Sequence, residues 1–482
     1  MQKSQLIDEL RTEDIYTENG ALTNSTSLSP VLDLFFIAGA SRNMSEKDIE
    51  MLIVRAMAEN KLLTLKVIFW AGRIRGGAGE RRFFKIALDT LHRKYPACFL
   101  LNFQLVPLFN RWDTLFYFYT DSFVVDYIAN ELQKETPNGL LCKWLPRTDY
   151  SKKYGYISRN VRKRLSLSGK EYRKLLVKNT KVVENDMCLR KWDEVKYQQV
   201  PSKAMHNYQK AFLKHDKIQF KKYLDDVKER KAKINASVLF PHEIIGKYIS
   251  CWSTPDEDSI SEVDILQWNS QSNYLEGTIN SLLPVCDVSG SMNGLPLKVS
   301  VSLGLYISER NEGIFKDAFM TFSEKPELLY LKGSIAERIE SISSADWDMN
   351  TDLIKTFKVV LDKAVSKKIP ENEMPKNILI ISDMEFDKAT EETSTNFTEI
   401  KDMYNRAGYK LPNIIFWNVN GKAGNYPVTK NDSGVALVSG FSPAILKSIF
   451  KGKVTPMDVL MNTINDPVYD NLRIALASTV GE

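Results

Sequence analysis

Histidine and cysteine are scarce in this chain, whose 482 residues carry four of the first and five of the second. Cys98, Cys142, Cys188, Cys251 and Cys286 are widely spaced, odd in number and without a CxxC pair. That argues against a disulfide framework and a cysteine zinc site, and points to a reducing, cytoplasmic compartment. His92, His206, His215 and His242 are equally scattered, and a lone histidine is more often structural than a ligand. No run of about 18 apolar residues occurs, so no membrane helix is expected. The opening MQKSQLIDELRTEDIYTENG lacks the apolar core of a secretory leader, so secretion is not expected either. No GxxxxGK[ST] loop is present to cradle nucleotide phosphates. Neither sign of charge dominates: the net charge is +5, too small by itself to mark a nucleic-acid binder.

What is present is material for large cores. The chain is 43% hydrophobic and 26% charged, as in ordinary globular proteins, and its length calls for two or three domains. Residues 1–28 are polar and are expected as an N-terminal arm or a loosely docked strand. Residues 29–252 are expected to be helical. SPVLDLFFIAGAS, SEKDIEMLIVRAMAEN, KLLTLKVIFWAGRIR and ERRFFKIALDTLHRKYP repeat apolar residues three or four apart. Ser45 with Asp48 reads as a helix start, Gly76, Gly77 and Gly79 as a helix end, and Pro201–Ser202 as another start. Short helices joined by tight turns suggest an irregular, HEAT-like solenoid without a clean repeat period. The acidic, proline-containing stretch 253–278 is expected as a linker.

From residue 279 to the C-terminus at 482 the pattern changes to alternating strands and helices. TINSLLPVCDVS, DAFMTFS, ELLYL, KNILIISDME, NIIFWNV and GVALVSG read as strands separated by amphipathic helices. Continuous apolar strands alternating with helices predict a mainly parallel, doubly wound α/β sheet.

Cys286-Asp287-Val288-Ser289-Gly290-Ser291-Met292 follows the first of these strands directly. Ligands of open α/β sheets bind beyond the carboxyl ends of strands. One carboxylate and two hydroxyls in a single turn suit a hard cation such as Mg2+ or Mn2+, and Gly290 is expected to let the loop turn. Thr351, before a helix, and Asp383, at the end of the strand Asn377–Ser382, can complete the oxygen set. An aspartyl phosphoryl-transfer enzyme would need a second acid two residues after Asp287, but position 289 is serine. No activated nucleophile with a base beside it is visible, and an enzyme is not expected.

Asp287, Ser289, Ser291, Thr351 and Asp383 resemble, in order and placement, the metal-ion-dependent adhesion site of von Willebrand factor A domains. The pairing of such a domain with a helical N-terminal region resembles the Ro autoantigen family, whose TROVE module is a ring of helical repeats closed by an A domain. A closer likeness is to an uncharacterised family of viral, phage and plant proteins of the same layout. It rests on AGRIRGGAGERRFF, VPLFNRWDTL, VPSKAMHNYQKAF and ISDMEFD. The Ro resemblance implies a non-enzymatic ribonucleoprotein component that binds small non-coding or misfolded RNA. The A-domain resemblance implies, as the alternative, a scaffold in which a protein partner's carboxylate completes the metal shell.

Two basic clusters are candidate RNA contacts. Arg73, Arg75, Arg81, Arg82 and Lys85 surround a glycine-rich turn. Lys152, Lys153, Arg159, Arg162, Lys163 and Arg164 are interleaved with Tyr154 and Tyr156. Cations bind phosphates and exposed aromatics stack on unpaired bases; ordinary solvated helix faces have the same composition. Gly76–Gly79 matches the bare GXXG pattern of KH domains, in helical surroundings that do not suit that fold.

Overall fold

The computed structural model describes residues 14–149, 154–250, 255–256, 259–277, 281–322, 325–345, 347, 352–388 and 395–474. The chain forms two compact units. One is built from 1–87 with 236–471, the other from 88–235 with 472–482.

The first unit contains the sheet. Strands β1 (Asp14–Tyr16) and β2 (Leu22–Asn24) form a small antiparallel hairpin. Strands β3 (Leu282–Asp287), β4 (Ala318–Phe322), β5 (Leu328–Tyr330), β6 (Asn377–Ser382), β7 (Asn413–Asn418) and β8 (Val435–Ser439) form a six-stranded sheet in the order β5-β4-β3-β6-β7-β8. All pairings are parallel except β4 with the edge strand β5. The expected helical region joined to a mainly parallel α/β sheet is therefore borne out. LLPVCD, AFMTF, NILIIS and VALVS are buried along their whole length, because helices cover both faces and a parallel strand needs no polar side.

Close packing sets where those helices lie. The helix Leu295–Arg310 lies on β3 and β4 at Gly304, where a Cβ would stand 2.1 Å from Cys286 Sγ and 2.6 Å from the Phe319 ring. The helix Pro30–Ala38 (PVLDLFFIA) is buried at eight successive positions from Val31 to Ala38. Apart from Asp33, whose carboxylate accepts from Ser27 N at 2.7 Å, its side chains are apolar on every face; such a helix must be internal, and this one packs on β8. Ser439 Oγ donates to Phe35 O at 2.9 Å and accepts from Gly39 N at 3.0 Å. At Gly39 a Cβ would fall 2.6 Å from Ser439 O. Within 253–278, residues Glu262–Asn269 form a helix that buries Val263, Leu266 and Trp268.

Helices predominate in the second unit, and no strand occurs among its described residues. Gly155–Arg164 packs on Ser122–Gln133, and Ser202–His215 on Lys217–Lys228. Phe99, Phe103, Phe118 and Phe123 form one aromatic core. Tyr197, Phe212, Phe220 and Tyr223 form another. Ser45 caps its helix by accepting from Asp48 N, and a helix begins at Pro201–Ser202, both as expected. The helix before the glycine-rich turn closes earlier than expected, at Gly72. Its last carbonyls are taken up by the turn, through Ala78 N to Trp70 O and Glu80 N to Ala71 O. No helix among the described residues is long and apolar enough to cross a membrane.

Candidate metal centre

Asp287 is the last residue of β3 and Ser382 the last of β6, and these two strands are hydrogen-bonded neighbours. Strand order reverses between them, so their carboxyl ends open the crevice in which doubly wound sheets take ligands. Asp287 is 0% and Asp383 2% exposed. Asp287 Oδ1 accepts from Ser289 N at 2.9 Å, and Oδ2 accepts from Ser382 Oγ at 2.6 Å. Ser289 Oγ lies 3.1 Å from Ser291 Oγ. Asp383 Oδ1 accepts from Glu385 N at 3.2 Å. The structure thus brings four of the five expected ligands together. Thr351 lies outside the described residues; its neighbour Asp352 caps the following helix by accepting from Lys355 N at 2.8 Å.

The electrostatics of the pair follow from its burial. Desolvation, then the Asp383 charge, push the Asp287 carboxyl up from 3.8 to about 7 against its serine hydrogen bonds. Asp383 is pushed up as well, by burial first; the Glu385 charge adds to this, while the Glu385 N–H, Ser291 and Lys422 act against it. Neither carboxylate has a Lys or Arg ion pair among the described residues. Buried like charges of this kind take up a proton or a cation. Among the described residues no three His, Cys, Asp or Glu side chains are grouped to hold a metal. A cation here would rest on two carboxylates and serine hydroxyls, an all-oxygen set that fits a hard divalent ion with waters completing the shell.

Two details differ from the sequence reading. Gly290 is not the left-handed residue of the loop; that role falls to Gly294, at φ +90°, where the chain enters the helix Leu295–Arg310. Ser289 and Ser291 are instead brought together by the single 3-10 turn Gly290–Met292. Residues that the sequence reading did not single out also build the site. Ser382 anchors Asp287. Met384, at φ +69°, turns the chain sharply after Asp383, and its N–H donates to Ser382 Oγ at 3.0 Å.

The β1–β2 hairpin is fastened to the same loop. Thr17 Oγ1 donates to Phe386 O at 2.7 Å, Glu18 N to Glu385 Oε2 at 2.7 Å and Asn19 Nδ2 to Glu385 O at 2.8 Å. Asn425 Nδ2 donates to Met384 O and Glu385 Oε1, and Lys422 Nζ reaches Glu18 and Glu385. Partners this far apart in sequence leave no local signal.

The basic candidates fall in both units. In the first, Arg73 pairs with Asp466 at 3.0 Å and Arg82 donates to Ser41 O at 3.3 Å. Arg81 and Lys85 are half-buried, and Arg75 is exposed. In the second unit, Arg162 is held by Asp149 at 2.8 Å and Arg164 by Asp126 at 2.6 Å. Lys152 and Lys153 lie outside the described residues. Arg159 stands 5.6 Å over the Tyr156 ring, which is 59% exposed and stacked on Tyr119 at 5.2 Å and 17°. Lys163, on the same helix, is exposed.

Two family models match the chain. One, described as Domain of unknown function (DUF7788), covers 281–466, and the other, Domain of unknown function (DUF2828), covers 17–156 and 116–276. An uncharacterised protein of Acanthamoeba polyphaga mimivirus is 28% identical over 95% of this chain and 89% of its own length. The crystal structure of the Deinococcus radiodurans Ro (RSR) protein is similar at a TM-score of 0.37 and 12% identity, over 91% of this chain and 99% of that one. With residues 17–276 of 482 matched by one model, the chain belongs to the family described as Domain of unknown function (DUF2828).

Proposed function

We propose that this is a non-enzymatic binding protein that holds Mg2+ or Mn2+ through Asp287, Ser289, Ser291 and Asp383, with Thr351 as the fifth ligand, and keeps one coordination position for an incoming ligand. The observation that carries the reading is the pair of buried carboxylates, neither in an ion pair with Lys or Arg among the described residues, facing serine hydroxyls at the switch point of the sheet. A carboxylate from a protein partner would complete such a shell. Calorimetric titration with Mg2+ tests it. The wild type is expected to bind one ion, and Asp287→Ala to lose at least tenfold in affinity, a difference of about 1.4 kcal/mol. Equal heats from both proteins would refute the assignment.

A second reading, RNA binding by the helical unit, is favoured by the Tyr119–Tyr156 stack with Arg159 above it and Lys163 on the same helix. An exposed ring offers a face for an unpaired base, worth roughly 1–3 kcal/mol per base, while the cations meet phosphates. Small non-coding or misfolded RNA with unpaired segments is the substrate class proposed. Arg162 and Arg164 are engaged by carboxylates, so the informative charge reversals are Arg159→Glu and Lys163→Glu. Filter binding of single-stranded RNA should weaken in both variants and fall steeply with salt. Binding that ignores both changes, or that is absent at low salt, would remove this reading.

A further inference from the structure

Four Asn-Gly pairs occur in the chain, at Asn19, Asn138, Asn293 and Asn420. Such pairs are chemically labile because glycine, lacking a Cβ, lets its backbone nitrogen reach the preceding carboxamide. The structure separates the four. At the first, Asn19 Nδ2 is bonded to Glu385 O, and Gly20 N to Thr17 O at 3.0 Å. At the second, Asn138 Oδ1 holds Leu140 N and Leu141 N at the start of a helix. At the fourth, Asn420 Oδ1 accepts from Asn43 Nδ2, and Gly421 N is engaged by Ala40 O at 3.0 Å. Asn293 differs from all three. Its side chain is exposed, and among the described residues neither its carboxamide nor the Gly294 N–H makes a hydrogen bond. A Cβ placed on Gly294 would meet nothing within 4 Å, so the peptide between the two residues has room to rotate. The Gly294 amide also precedes the first turn of Leu295–Arg310, where the positive end of the helix favours a developing negative charge.

We propose that Asn293 is the site at which this protein deamidates, converting the loop that carries Ser289 and Ser291. The deprotonated Gly294 nitrogen attacks Asn293 Cγ, forming a five-membered imide. The Cγ–Nδ2 bond breaks and the nitrogen leaves as ammonia with the proton taken up. Water then opens the imide at either carbonyl, giving aspartate or an isoaspartyl linkage. The first product adds a carboxylate two residues from Ser291; the second also lengthens the backbone of the loop by one carbon. The argument is independent of whether a metal is bound there.

The test incubates the native full-length chain at mildly alkaline pH and follows its four Asn-Gly peptides by mass spectrometry. Acid conversion is expected first in the Asn293 peptide, with both aspartyl and isoaspartyl products. The variant Asn293→Gln should lose the early acidic species on isoelectric focusing. In urea the four peptides should lose this ranking, because the contacts that protect the other three are gone. Earlier conversion at Asn19, Asn138 or Asn420 in the native protein overturns the proposal. So does an intact Asn293 peptide after the time in which the urea-unfolded chain converts.

Discussion

At Asp287, burial and the neighbouring Asp383 raise the affinity for protons, with which the proposed cation would compete. Its carboxyl, at 3.8 in an ordinary setting, is pushed up to about 7. A carboxyl raised on folding gives stability that is present below its unfolded value and lost as pH rises through the folded one. The metal-free protein should therefore lose stability progressively from about pH 4 to about pH 7, by an amount on the order of a few kcal/mol, and level off above that. Mg2+ must displace that proton, so its affinity should rise about tenfold per unit of pH up to about 7 and then level off. Melting curves with and without Mg2+ check this: the gain from Mg2+ should grow from about pH 5 to about pH 7 and then level off, and Asp287→Asn should abolish the trend. The Asp-x-Ser-x-Ser spacing was legible in the sequence because its residues are local. Ser382 was harder to read, since a serine ending an apolar strand becomes informative only once β6 is known to lie beside β3.

Among the elements, the β1–β2 hairpin carries the most specific expectation. Each of its strands is three residues long, and such hairpins are marginal in isolation. This one is held by the loop after Asp383, through Thr17, Glu18 and Asn19. In return it fixes the Glu385–Asp387 segment behind the candidate ligand. Thr17→Val leaves the Phe386 carbonyl without its hydroxyl donor, at a cost of about 1–3 kcal/mol. Isothermal titration should show weaker Mg2+ binding in this variant, with the helices intact by circular dichroism. Unchanged affinity would mean that the hairpin is a passive cover. A polar opening segment with three-residue strands had no periodicity from which this docking could be read. The central strands were legible for the opposite reason: their apolar runs are continuous, and only a sheet covered on both faces accommodates them.

Across the molecule, composition along the chain and packing in space divide the residues differently. The shift at 253 marks where helices give way to the alternating pattern. The compact unit around the sheet nevertheless takes in the first 87 residues. The helix Pro30–Ala38, apolar except for Asp33, was the available signal, because a helix without a polar face must be covered on every side. Its placement against β8 depends on Gly39 and Ser439, contacts across some 400 residues. The central claim concerns this unit: that it holds one divalent cation at the switch point of the sheet. The most direct measurement is a crystal structure of the full chain grown with Mn2+, read by anomalous scattering. The account predicts a single strong peak between Asp287, Ser289, Ser291 and Asp383 that vanishes in Asp287→Ala. A saturated crystal with no peak there, or with the ion bound elsewhere, would contradict it.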